Sequence, residues 1–197
     1  GQDILAMPEV SDVSGLVEGF VASEEIPLLF VFGYPEDSFV LDRFQVVSGA
    51  GLHSREANSA RGTPILLGSA AAESVEKTTG ETLRINESVY RIIGLYETGD
   101  AFEDSGAVLA LQDAQELLGK PRQVSIFSIR LDDASDADRV IERVNRHWPD
   151  LSIEKSSDFA NNQMMVETLE VYVWGIAGLA ILVGGVGMMN AQLMAVM

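Results

Sequence analysis

The chain has 197 residues, a length that suggests one domain of ordinary size or two small ones. Its 30 acidic and 13 scattered basic residues give a formal net charge of -17, which excludes a nucleic-acid-binding surface with clustered lysine and arginine. The absence of cysteine excludes a disulfide framework and a thiolate metal site. Adaptation to high salt and an ordinary acidic domain outside the cytoplasm both explain the charge.

The first third of the chain predicts a short helix followed by strands. The helix should end before Pro8, because proline disfavours α conformation in the residue before it. The runs DVSGLVEGFVAS and IPLLFVFGYPED indicate extended structure, and the apolar stretch from Leu28 to Phe32 is the strongest strand signal. The run FQVVSGAGLHSREANSARGTP predicts a short strand and then a polar loop.

The middle of the chain alternates strands with short helices. PILLGS indicates a buried strand, and we expect Ser69 to cap a helix over AAAESVEK that Gly80 ends. AVLAL and QDAQELLG predict a strand and a helix that stops at Gly119. ETLRINESVYRIIGLYE predicts a hairpin with a turn at Asn86 to Ser88. The apolar side chains that this hairpin should bury are Leu83, Ile85, Ile92 and Leu95.

The stretch from residue 122 to 155 predicts a β-α-β unit. VSIFSIRL indicates a strand, and Ser135 or Asp136 should cap a helix whose apolar residues recur at helical spacing up to Trp148. Pro149 should end this helix, and LSIEKS is expected to supply the second strand. A last helix should begin at Ser157 or Asp158 and continue into the apolar C-terminus.

The C-terminal run VYVWGIAGLAILVGGVGMMNAQLMAVM, from Val171 to Met197, has 27 residues and no charge. Because about 20 apolar residues span a bilayer, it predicts a transmembrane helix at about 171–193. Tyr172 and Trp174 stand at its start, where aromatic rings anchor in the headgroup layer. The alternative, a buried helix of a soluble core, is disfavoured because such helices usually carry a polar stripe or stop sooner.

Small residues recur on one face of this helix, at Ala180, Gly184, Gly187 and Ala191. Such faces let membrane helices approach closely, so we expect this stripe to pack against another span. Glycine and alanine are common in membrane spans, so chance is the alternative explanation of the stripe.

No pattern in the sequence indicates catalysis. His53 lies in a polar loop beside Ser54, and His147 lies beside the apolar face of a helix, where a structural role is expected. No strained nucleophile turn with an orienting group is discernible, and no phosphate-binding GxxxxGK[ST] motif occurs. Two histidines and no cysteine leave no recognisable transition-metal site. We therefore expect no catalytic residue, cofactor or metal.

Three stretches carry a resemblance to a known family. They are TPILLGSAAAESVEKTTGETLRINESVYRIIGLYETGDAFEDSGAVLALQDAQELLG, VSIFSIRLDDASDADRVIERVNRHWPDLSI and NQMMVETLEVYVWGIAGLAILVGGVGMMNAQLMAVM. In this order they resemble the periplasmic core domain and second transmembrane helix of MacB/FtsX-like ABC transporter permeases. The resemblance is good over residues 60–197 and loose over 1–60.

The resemblance implies an α+β fold with a two-lobed extracytoplasmic core domain. Residues 1–36 and 122–157 would form a β-α-β lobe, and 37–121 an inserted β-rich lobe. Residues 158–197 would form a stalk helix that runs into the transmembrane helix. The family has one span before this domain and three after it, so we expect the chain, which does not begin with methionine, to be a piece of a longer permease.

The implied function is that of a non-catalytic permease subunit of an ABC-type exporter or mechanotransmission complex in the cell membrane. Residues 1 to about 170 would lie outside the cytoplasm. The implied partners are an ABC ATPase subunit that hydrolyses ATP, a second copy or paralogous permease, membrane lipid, and a periplasmic or extracellular protein. The alternative is a single-span, membrane-anchored binding or sensor domain. The sequence does not identify a substrate.

Overall fold

The computed structural model describes residues 2–52, 54–55, 57 and 62–156. Its elements, in chain order, are α1 (Gln2–Leu5), β1 (Val10–Val21), β2 (Leu29–Tyr34), a 3-10 helix (Phe39–Arg43), β3 (Gln45–Gly49), β4 (Thr63–Gly68), α2 (Ser69–Ser74), β5 (Thr82–Ile85), β6 (Ser88–Glu97), a 3-10 helix (Glu103–Ser105), β7 (Ala107–Ala110), α3 (Leu111–Leu117), β8 (Ile126–Leu131), a 3-10 helix (Ala134–Asp136) and α4 (Ala137–His147). The chain divides into two compact units, Gly1–Ala134 and Ser135–Met197.

The first unit is built on a mixed β-sheet. The strands of its described residues follow the order β3-β6-β4-β7-β2-β1-β8, and β5 pairs with the first half of β6. The pairs β2–β7 and β4–β6 are parallel, and the other pairs are antiparallel. β1 pairs with β8 through Val10–Leu16 and with β2 through Val17–Val21, which explains its length of 12 residues.

Alternate residues of the central strands point to opposite faces of this sheet, and each face buries its own hydrophobic cluster. Val31 belongs to one cluster and Phe32 to the other. The first cluster includes Ala71 of α2 and Ala114 of α3, so we call this side the helix face. On the other side, the aromatic face, the buried side chains from the sheet and the segment beside it include Phe32, Tyr34, Val40, Phe44 and Tyr96.

The helix face allows a close approach of α3 at Gly33. A Cβ atom at Gly33 would lie 2.3 Å from Cβ of Ala114 and 2.8 Å from Cγ1 of Val17. Both distances are shorter than carbon atoms tolerate, so the glycine in β2 sets how closely α3 packs on the sheet.

The second unit contains α4, whose residues Val140 and Val144 are buried. Its N-terminus is held by an ion pair between Arg139 and Asp136 at 2.7 Å, and Lys155 returns to Asp138 at 2.7 Å. Residues 151–155 form no strand, so the strand predicted for LSIEKS is wrong. A strand requires pairing with a neighbour, and this segment instead runs back to the start of α4 through Lys155.

The structure confirms most of the predicted elements and corrects the description of α2. The N-cap is Gly68, and Ser69 is the first helical residue. The helix ends at Ser74 because Glu76 adopts a left-handed φ of 53° and the N–H of Lys77 donates to the carbonyl of Ala72 at 3.0 Å, which closes the helix end.

The predicted hairpin is confirmed, with a turn of two residues, since Ile85 pairs with Ser88 across it. Its side chains Leu83, Ile85 and Ile92 are fully buried, and Leu95 is partly buried against the same cluster.

The predicted stalk helix at 158–197 and transmembrane helix at about 171–193 lie outside the described residues. Within the described residues, no helix combines the length and apolarity that crossing a membrane requires.

Candidate partner interface

Three phenylalanine side chains meet at the surface of the aromatic face, and we call them the aromatic patch. They are Phe20 of β1, Phe30 of β2 and Phe102 of the loop after β6. The ring of Phe30 lies 4.6 Å from that of Phe20 and 4.8 Å from that of Phe102, measured between centroids. Phe20 is 53% exposed and Phe102 is 50% exposed. Exposed aromatic rings in contact with one another are typical of protein-binding surfaces.

The sheet holds two of these rings in place. Phe20 and Phe30 are direct partners in the antiparallel β1–β2 pair, so their side chains stand together on the same face. Phe30 also contacts the buried Phe32 at 4.6 Å, edge to face. The patch is therefore the exposed end of a row of rings that begins in the core, and its geometry is formed before any partner binds.

The loop that carries Phe102 is fixed by its own acidic residues. The carboxylate of Asp100 accepts hydrogen bonds from the backbone N–H groups of Phe102 and Glu103, both at 2.9 Å. The carboxylate of Asp104 accepts from the N–H of Thr98 at 2.7 Å. These bonds fix the backbone of the loop, and the ring of Phe102 remains at the surface.

A buried tyrosine ties the same loop to the core. The hydroxyl of Tyr96 donates to the backbone carbonyl of Glu103 at 2.6 Å, and its ring packs against Phe44 at 5.1 Å between centroids. Burial, followed by the nearby charges of Asp104 and Glu103, raises the pKa of Tyr96. The hydroxyl therefore favours its protonated form, which donates this hydrogen bond.

Carboxylates border the aromatic patch. Glu18 lies two residues before Phe20 on β1, and burial raises its pKa against the opposing charge of Lys120. Glu103 lies next to Phe102 and forms an ion pair with Arg43. Nη2 of Arg43 donates to both carboxylate oxygens of Glu103, at 2.8 and 2.9 Å. Arg43 offsets the charge of Glu103, and Lys120 opposes that of Glu18, so the remaining negative charge beside the rings is that of Asp100 and Asp104. Basic residues at the rim of a partner would complement this charge.

The energy available at the aromatic patch follows from its exposure. Phenylalanine has about 200 Å² of surface to bury, so the half that remains exposed on Phe20 and on Phe102 is roughly 100 Å² each. At about 25 cal/mol per Å², complete burial of each ring would contribute about 2.5 kcal/mol to binding. Two such rings are sufficient to act as the anchors of a modest interface.

The sequence analysis did not single out the aromatic patch. Phe102 stands among three carboxylates in the polar run DAFEDS, which is the local signal, whereas Phe20 lies in the strand run VEGFVAS, where a phenylalanine carries no special signal. Because single exposed apolar residues are common, only the register of β1 with β2 shows that these rings meet.

The site residues predicted from the sequence are not among the described residues of this surface. Ala180, Gly184, Gly187, Ala191, Tyr172, Trp174 and His53 lie outside the described residues. His147 contacts its own helix, with Nδ1 3.0 Å from the carbonyl of Arg143 and its ring against Trp148. In the described part of the chain, no three histidine, aspartate or glutamate residues are grouped so that they could hold a metal.

A family model described as the MacB-like periplasmic core domain matches residues 1–147, about three quarters of the chain. The chain belongs to this family. The resemblance to MacB/FtsX-like permeases drawn from the sequence is thereby confirmed.

A relative of known family agrees with this assignment. An uncharacterized ABC transporter permease of Methanocaldococcus jannaschii is 22% identical over 130 residues, which cover 62% of this chain and 33% of the relative. The chain thus aligns with about a third of that permease.

Solved structures show the fold. The extracellular domain of the noncanonic ABC-type transporter YknZ from Gram-positive bacteria matches with a TM-score of 0.58 at 14% identity, over 74% of this chain and 80% of that one. The periplasmic region of MacB from Actinobacillus actinomycetemcomitans matches with a TM-score of 0.54 at 11% identity, over 74% and 71%. The MacB-like domain is therefore a mixed α+β domain dominated by its sheet, as those domains are.

Proposed function

We propose that this chain is the extracytoplasmic domain of an ABC transporter permease, a non-catalytic subunit that couples ATP-driven motion to a substrate or partner outside the membrane. The observation that carries the proposal is the family match over residues 1–147. The permease from Methanocaldococcus jannaschii and the two transporter domains of the same fold support it.

The proposed architecture places residues 1 to about 170 outside the cell membrane and anchors them through the C-terminal segment. Residues 158–197 form a stalk that enters the bilayer at Tyr172 and Trp174 and spans it at about 171–193. The division into one lobe of residues 1–36 and 122–157 and an inserted β-rich lobe (37–121) also belongs to this proposal. The uncharged run from Val171 to Met197 supports the anchor.

The proposed partners follow from this architecture. An ABC ATPase subunit hydrolyses ATP, and a second copy or a paralogous permease completes the transporter. The stripe formed by Ala180, Gly184, Gly187 and Ala191 packs against another span, because small residues allow close approach in lipid.

The aromatic patch is the proposed contact with a protein outside the membrane. The rings of Phe20 and Phe102 are half exposed, the patch is ordered by the β1–β2 register and by the Asp100 turn, and carboxylates border it. This combination fits a partner surface with apolar side chains at its centre and basic residues at its rim.

The proposed function is tested by measuring whether the domain moves when ATP binds to the ATPase. In the assembled transporter, spin labels on the described sheet should report a change of distance between the two permease copies when ATP binds to the ATPase. A single-span binding or sensor domain, the alternative, would assemble with no ATPase and show no response to ATP.

A further inference from the structure

The turn between β5 and β6 has the sequence pattern of an N-glycosylation acceptor. Such an acceptor is an asparagine followed, after any residue except proline, by serine or threonine. Asn86 and Glu87 form the turn, and Ser88 begins β6. Among the asparagines of the chain, Asn86 alone stands in this pattern. The proposed function does not use this turn.

The acceptor pattern lies at the surface of the first unit. Asn86, Glu87 and Ser88 are all exposed. The side-chain amide of Asn86 makes no hydrogen bond to another described residue, so no partner inside the fold competes for its nitrogen. An attached sugar chain is bulky and polar, so only a surface position of this kind accommodates it.

The fold anchors this turn through its backbone. Ile85 pairs with Ser88 across the turn, and the N–H of Asn86 donates to the carbonyl of Ala22 at 3.4 Å. Asn86 has a left-handed φ of 53°, a conformation that asparagine tolerates better than most residues. Because these contacts belong to the main chain, a group attached to the side chain of Asn86 would break none of them.

Space for a first sugar is present beside the turn. Asn86 and Ser88 line an open polar cleft of about 280 Å³, together with Thr63 and Tyr90. Sugar hydroxyls both donate and accept hydrogen bonds, as the hydroxyls of this lining do. A sugar on Asn86 would therefore lie against polar surface and would displace no part of the hydrophobic core.

We propose that Asn86 is the attachment site of an N-linked oligosaccharide. This inference rests on the proposed function, because a sugar chain of this kind is found on domains outside the cytoplasm, where that function places this one. The hydroxyl of Ser88 is the feature that a transferase recognises, and it separates this acceptor from an ordinary turn asparagine.

The modification is a transfer from a lipid-linked donor. The donor is an oligosaccharide joined to a polyprenyl lipid through a phosphate or pyrophosphate group, and a membrane-bound glycosyltransferase brings the two together. A bond forms between Nδ2 of Asn86 and the anomeric carbon of the first sugar, while the bond from that carbon to the phosphate oxygen breaks. The lipid phosphate leaves with the electron pair of the broken bond, and Nδ2 gives up one proton.

Mass spectrometry of the full-length permease, purified from its native membranes, tests this proposal. Trypsin cleaves after Arg84 and Arg91 and so releases the peptide INESVYR, which contains the complete acceptor pattern. This peptide should carry the additional mass of several sugar residues, and fragmentation should place them on Asn86.

Matched variants separate the acceptor chemistry from the turn. Ser88→Ala should abolish the modification although Asn86 stays in place, and Ser88→Thr should retain it, because threonine supplies the same hydroxyl. Asn86→Asp removes the acceptor nitrogen and tolerates the left-handed φ, so its peptide should be unmodified. Thermal unfolding verifies that each variant retains the fold.

Two results would overturn the proposal. One is an unmodified INESVYR peptide in the permease from native membranes, which would assign Asn86 to the turn alone. The other is modification that persists in Ser88→Ala, because the acceptor pattern would then play no part in it.

The location of the domain is measured separately. Val47→Cys, at a position that is 51% exposed on β3, should react with a membrane-impermeant maleimide on intact cells. Reaction at this position together with an unmodified Asn86 would reject the glycan and leave the proposed function in place. Reaction only after the cells are lysed would contradict the proposed location itself.

Discussion

Replacement of Ile92 by alanine should strongly destabilise the first unit. Ile92 is fully buried in β6, its N–H donates to the carbonyl of Glu81 at 2.9 Å, and its carbonyl accepts from the N–H of Gly80 at 2.7 Å. These backbone bonds hold the strand in place, so the neighbours cannot collapse fully into the space that three missing carbons leave. At about 0.8 kcal/mol per buried methylene, the transfer loss is about 2.4 kcal/mol, and the cavity raises the total to about 3–4 kcal/mol.

Val89 provides a matched control in the same strand. It is 47% exposed, so Val89→Ala should change the free energy of unfolding by about 1 kcal/mol or less. Urea unfolding followed by far-ultraviolet circular dichroism measures both variants. Ile92→Ala should lower the midpoint and leave the slope unchanged. Coincident curves for the two variants would show that the register of β6 has been assigned incorrectly.

Two further predictions concern the aromatic face. Benzoylphenylalanine in place of Phe102 in the full-length permease should crosslink to an extracytoplasmic protein. The same residue in place of Val89, which is similarly exposed at the start of β6, should not crosslink. Equal crosslinking at both positions would contradict the proposal that the aromatic patch binds a partner. The raised pKa of Glu18 means that its ionised form destabilises the fold as pH rises above about 4.3, the value in an unfolded chain. Glu18→Gln should therefore raise the melting temperature at pH 7 and not below pH 4, and a variant that is less stable at pH 7 would refute this reasoning.

Local patterns predicted most of the elements. The apolar run from Leu28 to Phe32 and the alternation around Leu83 predicted β2 and the hairpin because strand and turn signals act over a few residues. The prediction of a strand in LSIEKS was wrong because a strand forms only beside a neighbouring strand, and the run itself does not encode that neighbour. The end of α2 was predicted incorrectly for a related reason. Glu76 adopts a left-handed conformation, which glutamate rarely does, so the residue type gives no indication of it.

The aromatic patch depends on contacts that local patterns do not encode. The aromatic patch exists because Phe20 pairs with Phe30 and the Asp100 turn brings Phe102 to them. Neither contact follows from residue spacing, because the partners are far apart in the chain. The family resemblance, by contrast, was visible in the order of ordinary motifs, which a sequence displays directly.

The central claim is that this domain moves when the transporter uses ATP. It is tested most directly by measuring the distance between two spin labels with pulsed electron paramagnetic resonance. The chain contains no cysteine, so Val89→Cys introduces a single labelling position in this segment, on an exposed part of a paired strand. The full-length permease, with its ATPase in lipid nanodiscs, is measured without nucleotide and with ATP trapped before hydrolysis. A shift of the distance distribution between the two labels on ATP binding is the predicted result. An unchanged distribution in a complex that hydrolyses ATP would contradict the account.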